Sequence, residues 1–201
     1  MNPLTSIAGT IISGFILAIL IVVGLSDGTG VSALEIAVWA HVLAGVVWIG
    51  LLYYFNFVQV PAVGQALAEA DNGGPGAAAI NKYVAPRALL WFRWGAVATW
   101  ITGAAALGHL KILVPAFTFE NFTFESSVSV MGVGAWLGTI MLFNVWVLIW
   151  PNQKKILGIV KASPDEIPGA KKVALMASRT NTLLSIPMLM CMTAYGHGLP
   201  F

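Results

Sequence analysis

The chain has 201 residues, of which 58% are hydrophobic and only 9% are charged. Soluble globular domains carry about 25% charged residues, so this composition excludes an ordinary soluble domain and predicts an integral membrane protein. The net charge of +2 is too small to suggest nucleic-acid binding. A single cysteine, Cys191, excludes an internal disulfide, a CxxC redox pair, a cysteine zinc site and covalent attachment of haem through CxxCH.

Five apolar segments are long enough to cross a hydrocarbon core of about 30 Å as helices. The sequence therefore predicts an all-α, polytopic bundle that forms a single transmembrane domain over residues 1–201. The predicted helices cover about 5–25, 34–58, 88–112, 128–150 and 180–197, with inner loops at 60–87 and 151–179 and an outer loop at 113–127.

The positions of the cations predict the orientation. Every lysine and arginine except Lys111 lies in or beside the connections that follow the second and fourth helices. Lys and Arg concentrate in cytoplasmic loops, so the N-terminus is predicted in the cytoplasm and the C-terminus in the periplasm of a bacterial inner membrane. No basic residue precedes the first apolar run and no A-x-A site follows it, so we expect an uncleaved helix.

The second helix contains an ionisable residue inside an apolar run. It reads WAHVLAGVVWIGLLYYFNFVQ, and His41, Gly45 and Trp48 share one face at helical spacing. A glycine permits close approach of another helix. The pattern therefore fits either a helix–helix seam or one wall of a cofactor pocket.

The connections carry weaker signals. The inner loop 60–87 is glycine-rich and reads as a linker, whereas 151–179 has lysines at helical spacing and predicts an interfacial helix interrupted at SPDEIPG. The outer loop has four phenylalanines alternating with polar residues, which predicts an interfacial lid or a short extended segment. Within the helices, buried polar groups predict mostly interhelical hydrogen bonds, at Thr99, Thr102, Asn144, Thr182 and Ser185.

All three histidines are predicted at the outer side of the membrane. His41 follows the start of an inward-running helix, while His109 and His197 end two outward-running ones. Imidazole is the common axial ligand for noncovalently bound haem, so two of them could ligate a haem b. The alternatives are hydrogen bonding to headgroups or water for His109 and His197, and a packing role for His41.

Arg93 is the other candidate for cofactor binding. It lies among Trp91, Phe92 and Trp94, about one turn inside the inner boundary. Its guanidinium could extend to the headgroups and stack on an indole, or it could anchor an anionic group such as a haem propionate.

Three stretches of the sequence indicate a known family more specifically than the spacing of residues does. HVLAGVVWIGLLYYFNFVQ, YVAPRALLWFRWGAVATWITG and ASRTNTLLSIPMLMCM resemble the membrane domain of the PuuD-type urate hydroxylases, also called the urate oxidase N-terminal family. The first string is also similar, more loosely, to CopD-like and HemJ-like haem-binding membrane proteins. Their H-x3-G/A-x2-W pattern implies a haem-ligand role for His41. The resemblance implies oxidation of urate towards 5-hydroxyisourate, with electrons passed to a cytochrome c.

These observations support three hypotheses. The first is a haem-b electron-transfer protein that passes electrons at the outer face to a cytochrome c or to a larger redox complex. The second is a non-catalytic accessory subunit of a respiratory or photosynthetic membrane complex. The third is a urate hydroxylase that uses a separate cytochrome c, since the PuuD-type proteins carry a fused cytochrome c domain and no CxxCH occurs here. Whether the chain is an enzyme is left open by the sequence.

Overall fold

A computed structural model describes residues 2–26, 28, 30–122 and 126–199. All regular structure in these residues is helical, which confirms the predicted all-α class. Among the described residues, three helical stretches are long and apolar enough to cross a membrane: Ile7–Leu25, Ala33–Ala68 and Ser127–Ile156. A membrane protein is therefore supported, and the number of spans stays a prediction. The chain divides into two compact units, Met1–Ala33 and Leu34–Phe201.

The first unit is built around helix α1, Ile7–Leu25. Ser6 caps its N-terminus, because the Ser6 Oγ accepts a hydrogen bond of 3.0 Å from the backbone N–H of Gly9. No residue of α1 is buried. A helix that is apolar on every face and unburied is typical of a membrane span.

The predicted second helix continues well beyond its expected end. Helix α2, Ala33–Tyr54, passes through a π-helical turn, Phe55–Gln59, into α3, Val60–Ala68. Part of the inner loop predicted at 60–87 is therefore helical. A second π-helical turn, Ile80–Val84, leads into α4, Ala85–His109, which begins slightly earlier than expected.

The outer connection is helical where the structure describes it. It contains two short helices, α5 at Leu113–Phe117 and α6 at Phe119–Phe122. The alternative of an extended segment is therefore wrong for 113–122, and residues 123–125 of the predicted outer loop lie outside the described residues. The Trp136 indole N–H donates to the Phe117 carbonyl at 3.1 Å, which ties α5 to the next long helix.

The last two predicted helices are also longer than expected. Helix α7, Ser127–Phe143, runs through a third π-helical turn, Asn144–Ile149, into α8, Trp150–Ile156. Helix α9, Glu166–His197, is continuous through Pro187 and contains much of the inner loop predicted at 151–179.

Each π-helical turn directly precedes a proline-containing helical turn. The backbone N–H groups of Val60, Ala85 and Trp150 bond five residues back, to Phe55, Ile80 and Val145. The next residue is in each case a proline, at 61, 86 and 151. A proline lacks the N–H and its ring clashes with the carbonyl four residues earlier, so a wider turn lets the helix continue. The wider turns therefore explain why the helices continue past these prolines.

The core of the second unit is shared by four helices. Helices α2, α4, α9 and the α7–α8 stretch bury one cluster of large apolar side chains. Its main members are Trp48, Ile49, Leu52, Phe55, Leu89, Phe92, Met141, Val145 and Ile149. Helix α7 packs most extensively against α9. This arrangement brings the N-terminal halves of α2 and α7 and the C-terminal halves of α4 and α9 around a common space.

Buried polar side chains join these helices at two of the five predicted positions. The Asn144 side chain donates to the Asn181 Oδ1 at 2.8 Å, and Ser185 shares a hydrogen bond of 3.0 Å with the Tyr53 hydroxyl. The prediction of mostly interhelical bonds is wrong for the other three. The hydroxyls of Thr99, Thr102 and Thr182 bond to carbonyls of their own helices, since a threonine hydroxyl reaches the carbonyl four residues back.

Candidate functional site

His41 is held by a hydrogen bond to the neighbouring helix. Its Nδ1 lies 2.7 Å from the Thr99 carbonyl oxygen on α4. A carbonyl can only accept, so Nδ1 carries the proton and donates it. In the neutral imidazole the other nitrogen, Nε2, then has a free lone pair. Nε2 has no hydrogen-bond partner among the described residues.

Glycines make room for the imidazole between α2 and α4. A Cβ on Gly103 would lie 2.8 Å from the His41 Cε1 and 2.9 Å from its Nδ1, closer than real side chains approach. On α2, one turn after His41, a Cβ on Gly45 would lie 3.8 Å from the Thr99 methyl group. His41 therefore lies in a glycine-packed helix–helix seam, which was one of the two predicted settings.

His41 also lines a cavity, and the other predicted setting, a cofactor pocket, stays a prediction. The cavity has a volume of about 630 Å³, is partly open, and is lined by α2, α4, α7 and α9 and by Phe117 of α5. We call it the His41 cavity. Cofactor pockets are usually about 300–1,000 Å³, mostly apolar, with a few placed polar groups. No acidic or basic side chain of the described part of the chain lines it, and its polar side chains are His41, Trp48, Thr99, Trp100, Thr193 and Tyr195.

Trp48 lines this site and carries an unpaired donor. Its side chain is 2% exposed and lines the His41 cavity. Its indole N–H is buried and has no acceptor in the described residues. Leaving a buried donor unpaired costs about 1–3 kcal/mol, and this nitrogen is shielded from the cavity by its surroundings. The sequence placed Trp48 on the His41 face, one helical turn from Gly45, without assigning it to the site.

The wall contributed by α7 and α9 carries thioethers. Met131 of α7 and Met188 and Met192 of α9 line the His41 cavity. Methionine sulfur is soft and polarizable, and it serves as the second axial ligand in some haem proteins. Nothing in the sequence distinguishes these methionines from ordinary packing residues, because only the packing of α7 and α9 brings them to the cavity.

The structure does not bring the three histidines together. His109 is the last residue of α4 and His197 the last residue of α9, and both are exposed. Of the three histidines, all of which are described, only His41 lines the cavity. His109 and His197 thus end two of the helices that enclose the cavity but do not contribute to its walls.

Arg93 lies outside the His41 cavity, near the other end of α4. Its Cζ is 3.8 Å from the centre of the Trp150 ring, so the guanidinium stacks on an indole as one of the two predicted alternatives describes. It does not line the cavity.

The described residues contain no group of three or more histidine, cysteine, aspartate or glutamate side chains that could hold a metal ion. A haem needs fewer protein ligands, since the porphyrin itself supplies four nitrogen donors to the iron. A single free imidazole nitrogen beside an apolar cavity is therefore compatible with haem, and Nε2 of His41 is such a nitrogen.

Comparison with known families supports the resemblance over the C-terminal part of the chain. Residues 105–201 match the family described as "Urate oxidase N-terminal". This stretch includes the end of α4 and all of α7, α8 and α9, and it contributes Met131, Met188 and Met192 to the His41 cavity. His41 and Gly103 lie before it. No curated protein and no solved structure gave a significant match.

Proposed function

We propose that this chain, whose residues 105–201 carry the pattern of the urate oxidase N-terminal family, is a haem-b-binding electron-transfer protein of the bacterial inner membrane. The observation that carries the proposal is the setting of His41. Its Nδ1–H donates to a backbone carbonyl, and its Nε2 is free at the wall of an apolar cavity. In metal-binding histidines the same arrangement fixes the tautomer and makes the ligating nitrogen more basic.

Several residues fit a haem in the His41 cavity. His41 would supply an imidazole nitrogen to the iron, Thr99 would orient the ring through its carbonyl, and Gly103 would leave the space that the ring needs. Haem b, when bound, supplies a one-electron couple between ferric and ferrous iron. The apolar walls would exclude water and favour the less charged form of the site. The thioethers of Met131, Met188 and Met192 are the soft ligands available on the facing wall.

The family match favours a second, more specific candidate, a urate hydroxylase that uses a separate cytochrome c. Conversion of urate to 5-hydroxyisourate consumes one water and releases two electrons and two protons. Two molecules of a one-electron cytochrome c would accept these electrons at the outer face. No further subunit is needed for this stoichiometry, although a larger redox complex could take the place of the soluble cytochrome.

The proposal is tested by a reduced-minus-oxidised spectrum of the protein purified from a haem-producing host. A b-type α band is expected, and a protein that contains no haem and takes none up on addition of haemin would refute the proposal. Such a protein, if it purified with a redox complex, would be the accessory subunit of the second hypothesis.

The hydroxylase candidate has its own test. Urate and oxidised cytochrome c are added to the haem-loaded protein, and reduction of the cytochrome is followed in the visible spectrum. Two cytochromes reduced per urate consumed are expected for the hydroxylase. A haem-loaded protein that leaves urate unchanged would be an electron carrier without this activity.

A further inference from the structure

A second site of the molecule lies at the opposite end of α4 from the His41 cavity and is built on the ring of Trp150. The Arg93 Cζ is 3.8 Å from the centre of this ring, and the Lys154 Nζ is 5.8 Å from it. Two cations therefore share one half-buried indole, although one comes from α4 and the other from α8. Arg93 lies in the first half of α4, and Lys154 lies near the end of the α7–α8 stretch.

Neither cation has an acidic partner in the described part of the chain. The ion pair found there joins Lys155 to Glu166 at 2.7 Å and uses neither Arg93 nor Lys154. Arg93 has five N–H donors and makes no hydrogen bond to a described residue, although its side chain is only partly exposed. Two like charges gathered without a carboxylate repel each other, so an anion at this position would relieve an unfavourable arrangement.

A buried tryptophan packs beside the site. Trp146 is one turn before Trp150, and its indole N–H is buried with no acceptor among the described residues. Its ring packs edge-on against Trp94, the neighbour of Arg93, with centroids 5.4 Å apart. Around the site, Trp91 and Trp94 are 60% and 55% exposed. Exposed tryptophans beside cations are typical of the headgroup level of a membrane.

The depth of the site agrees with this setting. Arg93 is predicted about one helical turn inside the inner boundary of the membrane. An arginine side chain can reach from that depth to the phosphate level while its methylenes stay in the hydrocarbon. The cations that follow in the chain, Lys155 and Lys161, lie on the side predicted to face the cytoplasm.

We propose that Arg93, Trp150 and Lys154 form a binding site for the phosphate group of an anionic phospholipid in the inner leaflet. The planar guanidinium donates to two phosphate oxygens, and the ammonium of Lys154 neutralises the remaining charge. The indole holds the guanidinium in place by stacking. This site is independent of the proposed haem function, because none of its three residues lines the His41 cavity.

The test measures lipid binding to the purified full chain by native mass spectrometry, with phosphatidylglycerol and phosphatidylcholine as probes. We expect one tightly held phosphatidylglycerol in the wild type, and about five-fold weaker binding in Arg93→Gln and in Lys154→Gln, which is about 1 kcal/mol per removed charge. Lys161→Gln is the matched control, since Lys161 is exposed, lies on the same predicted side and is not one of the two cations in contact with the Trp150 ring.

Two outcomes would overturn the proposal. Equal loss of binding in all three variants would mean that general surface charge attracts the lipid, and equal binding of the two lipids would mean that no anion is selected. Inorganic phosphate is added as a separate arm and is expected not to displace the lipid, because the headgroup is anchored by its acyl chains. Displacement at equal concentration would mean that the site binds free phosphate instead.

A conservative variant, Arg93→Lys, separates the effect of the charge from that of the planar guanidinium, and thermal unfolding checks the fold of every variant. This variant keeps the charge and loses the planar group, so we expect binding between that of the wild type and that of Arg93→Gln. Thermal unfolding in a zwitterionic detergent without added lipid is expected to be the same for all variants. A preference for phosphatidylglycerol in Arg93→Gln equal to that of the wild type, with normal unfolding, would also contradict the site.

Discussion

At the scale of single residues, the position of the His41 ring depends on the absence of a side chain at Gly103 on the facing helix. The imidazole occupies the space that a side chain at position 103 would fill, and its Nδ1–H reaches the Thr99 carbonyl because the two helices are that close. The position of Nε2 is therefore fixed by a glycine and a backbone atom. No other ionisable side chain of the described residues takes part in holding it.

This dependence predicts a specific effect of Gly103→Ala. The new Cβ would lie 2.8 Å from the His41 Cε1, so the ring must move and its bond to Thr99 must lengthen. If haem is bound at His41, its α band should shift or weaken several-fold. Gly108→Ala is the matched control on the same helix, because a Cβ there meets nothing within 4 Å. Equal spectra for the two variants would contradict the assigned geometry.

The histidines can be compared directly. His41→Ala should abolish the haem spectrum, whereas His109→Ala and His197→Ala should retain it, because the two helix-end imidazoles do not line the His41 cavity. The spectra of the three purified variants decide this. Loss of the band in His109→Ala or His197→Ala would show that a helix end closes over the cavity in the bound state.

At the scale of the elements, the sequence predicted which segments are helical but not how far each helix runs. The five apolar runs correspond to α1, α2, α4, α7 and α9. Hydropathy changes where a helix leaves the membrane, whereas the hydrogen-bonded helix continues through Pro61 and Pro151 by widening one turn. A proline with a helical sequence on both sides does not reveal whether the helix bends, ends or continues through a wider turn.

The site was partly predictable for a related reason. His41 was recognisable because an ionisable residue inside an apolar run is costly, and Gly45 because it shares a face with His41. Gly103 and Thr99 were not, since their contribution depends on the packing of α4 against α2. The outer grouping of the histidines followed from helix direction alone, which places residues at one level but does not determine which of them face each other.

The buried side chain of Asn181 makes two hydrogen bonds between α9 and the helical stretch that begins with α7. Asn181 is fully buried, accepts from Asn144 and donates to the Met141 carbonyl at 2.9 Å. Asn181→Ala removes both bonds and should lower the free energy of unfolding by about 1–2 kcal/mol. Thr180→Ala, at an exposed neighbouring position, should change it little. Unfolding by a denaturing detergent in mixed micelles measures both, and equal losses would mean that the buried pair is not stabilising.

At the scale of the whole molecule, the predicted orientation is testable because the chain has a single, buried cysteine. A membrane-impermeant thiol reagent should label Val114→Cys in intact cells, since Val114 is 68% exposed in the outer connection. Asn72→Cys and Ala162→Cys should be labelled only after the membrane is permeabilised. The wild type, with Cys191 alone, is the control for background labelling, and the reverse pattern would invert the predicted topology.

The connection between α8 and α9 should make stability depend on pH. Glu166 accepts from the Lys155 Nζ at 2.7 Å, and this bond holds the pKa of Glu166 below its usual value of 4.5. The folded state therefore favours the carboxylate. Its contribution is present above the usual pKa and is lost as the pH falls through the lowered folded-state pKa.

The matching experiment compares melting temperatures of the wild type and Glu166→Gln. The wild type should melt slightly higher at pH 7, and the difference should shrink as the pH falls below 4.5 and on through the lowered folded-state pKa, and also in about 1 M salt. The effect should be small because both side chains are exposed to solvent. A difference that persists in acid would mean that the glutamine disturbs the helix start rather than the ion pair.

The π-helical turn at Phe55–Gln59 also affects how the chain tolerates changes of length. A π turn holds one residue more than an α turn over the same stretch, so the faces of α2 and α3 are out of phase across it. Removing one residue in the middle of α2 would rotate His41 away from Gly103. Removing Val58, which is 54% exposed within the π turn, would instead convert that turn towards an α turn. Because the wider turn is what accommodates Pro61, this deletion should be tolerated only together with Pro61→Ala, so the extra residue and the proline depend on each other.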